Sequence, residues 1–191
     1  MNVQSEIAGK KEAILRSAME LIRQHGFHGT PMSQIARHAN VACGTIYHYF
    51  PGKDDVMLEI YLLICKELSN VAFGARDTSL SFRDQFFEEC RKLLHYYITN
   101  PDALYFLDQY NNSPYAQRTL EAKQVFIDNF FNFIRAGMEE GVVKEMEYFL
   151  VAPVVLGAIS TTAKVHVSGR REFSPDSVNN ILAIIWDGIR L

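Results

Sequence analysis

Between Thr30 and Lys53 the chain gathers side chains that donate hydrogen bonds while carrying little charge. They are Thr30, Ser33, Thr45, Tyr47, His48, Tyr49 and Lys53, with the small Cys43 and Gly44 heading the densest cluster. Hydroxyls, phenols, an imidazole and an ammonium at these spacings suit contact with a nucleic acid. Thr45 and His48 are placed to meet base edges, and Tyr47 and Tyr49 to donate to phosphate oxygens. Lys53, Thr30 and the free backbone amides from Thr30 to Ser33 are placed for phosphates. Ala42, Cys43 and Gly44 are small enough to let the backbone approach a duplex closely.

Other chemistries find few residues to work with. His25, His28, His38 and His48 fall near this stretch, where solvated surface or phosphate contact is the simplest reading. His95 and His166 have no partner at ligand spacing, and Cys90 and His95, five apart, align poorly on a helix. No Gly-rich phosphate loop, G-x-S-x-G or H-E-x-x-H is present, so no catalytic residue, metal or cofactor is expected. Cys43, Cys65 and Cys90 are odd in number and widely separated, which predicts reduced thiols. Cys43 reads as a small residue allowing close approach rather than as a redox handle. The carboxylate pairs Glu88-Glu89 and Glu139-Glu140 read as solvated faces.

The elements that position these residues are helical throughout. From Lys10 to His25, Ile14, Leu15, Ala18, Leu21 and Ile22 recur at three- and four-residue spacing, and Gly26 supplies a stop. Thr30-Pro31 predicts a helix start, with the Thr30 hydroxyl as cap and Pro31 in the first turn, leading to a second helix ending near Ala39. Asn40 accepts the left-handed backbone a sharp turn demands, and Val41 fills the corner. A third helix from Ala42 to Phe50 is anchored by Ile46 and Phe50 and ended by Pro51-Gly52. Two short helices joined by such a turn form a helix-turn-helix, whose second helix enters the major groove.

Beyond it, a fourth helix starts at Lys53-Asp54-Asp55 and runs through Ile60, Ile64, Leu68 and Val71, and a loop spans Gly74 to Ser81. A fifth helix carries Phe82, Phe86, Cys90, Leu93 and Tyr97, ending at Asn100-Pro101. A short helix from Asp102 to Tyr110, a turn at Asn112-Ser113-Pro114 and a long helix to about Met138 follow, before Gly141 breaks the pattern. The last two helices are expected over Lys144 to about Val167 and over Ser174 to Arg190. The fold class is therefore all-α, about nine helices, with a three-helix head at residues 1–53 and a larger helical body at residues 54–191.

Charge follows this division. Residues 1–53 carry six Lys/Arg against three Asp/Glu, a formal +3, whereas residues 54–191 carry thirteen against nineteen, a formal −6. A basic head suits polyanionic DNA and an acidic body does not. No run approaches the roughly 18 uncharged apolar residues of a membrane span, and the N-terminus lacks a signal-peptide core, so a cytoplasmic protein without membrane contact is expected.

The residues over 10–60 resemble the tetracycline-repressor (TetR) family of bacterial transcription regulators. The family pattern Phe-x-x-x-x-hydrophobic-x-x-Ile-Ala, then Ala-Gly-Val-Ser-x-Gly-Thr-Leu-Tyr-x-x-Phe, then Lys-x-x-Leu is similar to Phe27–Ala36, Ala39–Phe50 and Lys53–Val56. Further on, Ile134-x-x-Gly137-x-x-x-Gly141-Val142 looks like the break before the family's last two helices. Asn40 stands where glycine is usual, Ala42 where serine is usual, Cys43 where Lys, Arg or Pro is frequent, and Pro31 where Thr is common. The resemblance implies an all-helical body that binds a small effector.

Of 23 aromatic residues, 14 lie between Phe73 and Phe133. They can simply fill a helical core, or Tyr96, Tyr97, Tyr105, Phe106, Tyr110, Phe126, Phe130 and Phe133 can line an effector pocket with Gln109, Asn111 or Gln124 orienting the ligand. On the last two helices, Phe149, Val154, Gly157, Ala158 and Thr161, and then Ile181, Ile185 and Trp186, put small and apolar residues at helical spacing. That predicts a homodimer joined through a four-helix bundle, its two recognition helices reaching successive major grooves about 34 Å apart on a palindromic double-stranded DNA operator. The expected function is a ligand-responsive DNA-binding transcriptional regulator, which the resemblance implies is a repressor, released from its operator by a small, largely apolar effector. The alternative is an all-helical interaction or binding protein whose helix-turn-helix is structural.

Overall fold

In the computed structural model, which describes residues 3–116 and 125–191, all regular elements are helices. They are α1 (Val3–His25), α2 (Met32–His38), α3 (Cys43–Tyr49), α4 (Lys53–Phe73), α5 (Phe82–Thr99), α6 (Pro101–Asn111), α7 (Val125–Glu139), α8 (Tyr148–Val167) and α9 (Pro175–Ile189). The chain divides into two compact units, one of Met1–Ile64 with Tyr105–Lys123, the other of Cys65–Leu104 with Gln124–Leu191. Helices α4 and α6 each run from one unit into the other.

In the first unit α1 buries Ile14, Leu15, Ala18, Met19, Leu21 and Ile22. It ends where Gly26, at φ 69°, takes the left-handed conformation and returns its amide to the Ile22 carbonyl at 2.8 Å. The α2–α3 corner is made by Asn40 at φ 54° and by the Val41 amide, which donates to the Ala36 carbonyl at 2.9 Å. Helix α3 is held by Ile46 and Phe50, both out of water. Lys11 of α1 donates to Glu59 of α4 at 2.9 Å and lies over the Phe50 ring, tying α1, α3 and α4 together.

The start of α2 differs from expectation. Pro31 is the N-cap, with no side-chain cap, and Thr30 is fully buried with its hydroxyl donating to the Gly26 carbonyl at 2.9 Å. The hydroxyl closes the turn that leaves α1 instead of capping α2. Helix α1 also begins earlier than the periodicity predicted, at Val3 rather than Lys10.

The second unit is built on α5, which packs against α8 and α9, with α7 packing on α8. Ser81 caps α5, accepting from the Asp84 amide at 3.2 Å while its hydroxyl donates to the Asp84 carboxylate at 2.7 Å. Helix α8 begins at Tyr148, later than Lys144, because residues 142–144 pair with the C-terminus: Val143 bridges Arg190, the Lys144 amide donates to Ile189, and the Leu191 amide donates to Val142. Good helix formers are here overridden by tertiary pairing. The expected first turns of the helix before Met138 fall on residues 117–124, outside the described residues.

A second correction concerns α8. By length and composition alone Phe149–Val167 is apolar enough to cross a membrane, more so than a count of uncharged apolar runs suggests, but in the fold this helix packs against α5, α7 and α9. Glycine, serine and threonine look like interruptions to a count of apolar residues, yet they hardly lower the average over a whole window.

The core of the second unit is a set of rings. Phe82 stacks on Phe133 at 4.7 Å, with Trp186 at 6.2 Å, and Trp186 also meets Phe86 at 5.5 Å. Gly137 of α7 lies directly on this cluster, where an added Cβ would meet the Phe82 ring at 2.4 Å. Phe82 is stacked on Phe133 with Trp186 beside it, so moving it aside disturbs both contacts. Gly137→Ala is therefore expected to lower stability by about 1 to 3 kcal/mol through overpacking. Urea unfolding checks this, and an unchanged midpoint would show that the ring has room to move.

Candidate nucleic-acid interface and the body behind it

The reading face follows from the phase of α3. Ile46 and Phe50 point inward, so Cys43, Gly44, Tyr47 and His48 are exposed, with Thr45 and Tyr49 half-buried. Tyr47 keeps 51% of its surface in water, an unusual exposure for a large ring. His48 stands edge-on to Tyr49 at 5.5 Å, which holds the two rings side by side. Ser33 of α2 is exposed, and with Arg37, Asn40, Ala42 and Cys43 it lines an open cleft beside the start of α3. Arg37 and Asn40 were absent from the expected set, although Arg37 lies one helical turn after Ser33. Thr30, buried and engaged with Gly26, leaves that set because its hydroxyl cannot reach a phosphate.

Lys53 is half-buried, and its ammonium donates to the Phe27 carbonyl. Burial lowers its pKa from the ordinary lysine value, with the neighbouring Asp54 acting in the opposite sense. An ammonium has three donors, so this bond leaves capacity for a phosphate. Phe27 is gripped through its ring as well, which meets Phe106 at 5.7 Å and Tyr115 at 5.5 Å, both edge to face. Tyr110 stacks on Tyr61 at 5.0 Å and donates to the Tyr115 carbonyl at 3.1 Å. The loop that presents α2 and α3 is thus held by Phe106 of α6 and by Tyr115 just beyond that helix.

This changes the picture of the aromatic residues expected to line one pocket. Phe106 and Tyr110, both fully buried, and Tyr105 and Gln109, both half-buried, belong to the first unit. Tyr96, Tyr97, Phe126, Phe130 and Phe133 are buried in the second. The Tyr96 hydroxyl donates to Glu67 at 2.6 Å, and burial pushes the Tyr97 phenol well above its ordinary pKa. Sequence reasoning missed two further polar features of the second unit. Asn129 of α7 donates to the buried Ser69 of α4 at 2.7 Å. Glu89, read as part of a solvated face, is 3% exposed and pairs with Lys92 at 3.3 Å. It lies on the same stripe of α5 as Phe86 and Leu93, a position that the spacing alone makes visible. Burial raises its pKa, opposed chiefly by the Lys92 charge.

The predicted pairing surface also shifts. Phe149 and Val154 are more than half exposed, Thr161 is exposed, and Gly157, Ala158 and Ile181 are half-buried. Ile185 and Trp186 are buried in their own chain, with Trp186 against Phe82 and Phe86, so they are removed from the surface. In their place Leu150 and Ile184 are exposed, Ile184 at 73%. Helix α9 is apolar on two sides, and spacing does not say which side faces in. Among the described residues no group of three His, Cys, Asp or Glu is arranged to hold a metal.

Comparison with known proteins agrees with this layout. Residues 14–60 match the family model for bacterial regulatory proteins of the tetR family, and residues 66–191 match that for a tetracyclin repressor-like C-terminal domain. The fatty acid metabolism regulator protein of Bacillus subtilis (strain 168) is 23% identical over 185 residues, covering 92% of this chain and 93% of that protein. The HTH-type transcriptional regulator YhgD of the same organism is 27% identical over 133 residues, 70% of this chain and 69% of that one. Among solved structures, a TetR family transcription regulator from Marinobacter aquaeolei VT8 superposes with a TM-score of 0.86 at 16% identity, covering 100% of this chain and 99% of that one. FadR from Bacillus subtilis in complex with stearoyl-CoA gives a TM-score of 0.79 at 20% identity, covering 93% and 98%.

The buried Glu89 yields a pH signature. Its carboxyl holds a proton more tightly in the folded chain than in the unfolded one, so its contribution to stability falls as pH rises from the ordinary glutamate range through the higher folded value. Glu89→Gln is expected to remove that slope and to narrow the difference from wild type as pH falls. Thermal melts across pH check this, and parallel curves for the two proteins would contradict it.

Proposed function

We propose that this chain, which belongs to the tetR family of bacterial regulatory proteins, represses transcription by holding a palindromic operator through Ser33, Cys43, Gly44, Thr45, Tyr47, His48, Tyr49 and Lys53. It is a DNA-binding transcriptional regulator with an all-helical body. The observation that carries the operator reading is the outward face of α3, where Tyr47 and His48 stand in water above the buried Ile46 and Phe50. A purely structural helix has no use for exposed rings, and nothing favours that alternative.

Residues 1–53 bind DNA and residues 54–191 bind the effector and dimerise. The effector is a largely apolar small molecule held by Tyr96, Tyr97, Phe126, Phe130 and Phe133, with the Ser69–Asn129 pair as its polar partner. A fatty acyl compound fits this class. The similarity to a fatty acid metabolism regulator and to a FadR bound to stearoyl-CoA supports it. Tyr105, Phe106, Gln109 and Tyr110 act on the head, because Phe106 and the Tyr110–Tyr115 bond grip the Phe27 loop. To release the operator, the effector must favour the released state by about 1 to 3 kcal/mol or more. Helices α4 and α6, which continue from one unit into the other, are the levers. No catalytic step belongs to this reading, and the protein acts in the cytoplasm, beside the DNA.

Homodimerisation is supported by the exposed apolar residues Phe149, Leu150 and Val154 of α8 and Ile184 of α9. Isologous contact would cover them and set two recognition helices on one face of a duplex.

Two measurements test these assignments. Tyr47→Phe removes one phenol donor and is expected to weaken operator binding about tenfold, since a hydrogen bond to a charged group contributes about 1.5 kcal/mol or more. The melting temperature should stay put, and unchanged anisotropy titrations would remove Tyr47 from the interface. Val154→Asp combined with Ile184→Glu is expected to give a monomer in sedimentation velocity that keeps its helical circular dichroism. A dimer that survives both charges would move the interface elsewhere.

A further inference from the structure

The positive charge of the head resides in Lys10, Lys11, Arg16, Arg23, Arg37 and Lys53. Most of it is already engaged. Lys11 pairs with Glu59 at 2.9 Å, Arg16 pairs with Glu12 at 3.2 Å, and Lys53 donates to the Phe27 carbonyl. Lys10 and Arg23 have interactions of their own. Among the described residues, Arg37 is the one head cation whose side chain makes neither a hydrogen bond nor an ion pair. It is exposed, one turn beyond Ser33 on α2, and it lines the open cleft with Asn40 and Cys43 beside the start of α3.

From this juxtaposition we infer that Arg37 is the main electrostatic anchor of the reading face, its guanidinium binding a backbone phosphate of the operator next to the start of α3. The inference rests on the operator-binding reading above and goes beyond it by assigning this contact to α2. Three observations lead to phosphate rather than to a base edge or an internal role. In a helix-turn-helix the second helix enters the groove while the first crosses the backbone, so a cation on α2 meets phosphate. The start of α3 offers no cation of its own, since Ala42, Cys43 and Gly44 carry none. A guanidinium without a partner in the free protein gives up no ion pair when it binds, whereas Lys53 must share its ammonium with Phe27. The planar fork of arginine also matches two phosphate oxygens at once, which a lysine cannot do.

The test uses the full chain. A duplex is first selected from a random pool by wild-type protein, and its affinity is then followed by fluorescence anisotropy across salt concentrations for wild type, Arg37→Ala and Arg37→Lys. Arg37→Ala is expected to bind about tenfold more weakly at low salt, equally on the selected duplex and on its single-base variants, with the salt slope reduced by about one. Its melting temperature should match wild type. Arg37→Lys keeps the charge, so it should keep the slope while losing part of the affinity, and it decides the matter should the alanine variant not fold. Unchanged affinity and slope for Arg37→Ala, or a Lys variant whose slope also falls by about one, would overturn the phosphate contact. A loss confined to one base position would overturn it in favour of base reading. Failure of the wild-type protein to select any duplex would instead overturn the operator reading itself.

Discussion

A helix of seven residues cannot keep its shape alone in water, because nucleation costs more than so few hydrogen bonds return. The reading face of α3 therefore exists only while Ile46 and Phe50 stay buried against the rest of the head. Everything around the helix serves that burial. Lys11 covers the Phe50 ring and links α1 to α4 through Glu59, and the Lys53 ammonium fixes the Phe27 carbonyl. Phe27 in turn rests on Phe106 and Tyr115, so the placement of a short surface helix depends on residues far away in sequence.

The parts that local rules govern were legible in the sequence. Gly26 and Asn40 both occupy left-handed backbone, and Ile46 and Phe50 are inside. Each follows from one residue and its immediate neighbours. Where long-range pairing decides, spacing misleads. Lys144 to Glu147 read as helix, yet the Lys144 amide belongs to the Ile189 carbonyl. Thr30 read as a cap, and only the close return of the chain at Gly26 shows why its hydroxyl is buried instead. Tyr110 reads as pocket lining from composition, and its stacking on Tyr61 ties it into the first unit.

The same limit explains the body. A helix with one apolar stripe declares its inner face, but α8 and α9 are apolar on more than one side, and the choice of face belongs to the partners. Trp186 is taken by Phe82 and Phe86, which turns Ile184 outward. Buried polar residues are harder still to foresee. Ser69 and Glu89 sit in apolar stripes where water is excluded, and each is tolerable only because Asn129 and Lys92 meet it. Fully satisfied pairs of this kind specify a core more sharply than apolar contacts do.

The neutrality of the reading face bears on the need for a second copy. Specific operator binding needs affinities of about 10⁻⁸ M or tighter at physiological salt, most of it resting on phosphate contacts. A head with six Lys/Arg, of which Lys11, Arg16 and Lys53 are already engaged, supplies few such contacts. Hydroxyls and rings add discrimination of about 1 to 3 kcal/mol per base pair rather than bulk attraction. Two heads joined rigidly spend the entropy of association once and add both sets of contacts, raising affinity by orders of magnitude without any new side chain. In the proposed dimer, the apolar side chains that α8 and α9 leave in water are the counterpart of the charge α3 lacks. On this reading the body compensates for a weakly basic head, and an effector that shifts the body changes the spacing on which both heads depend.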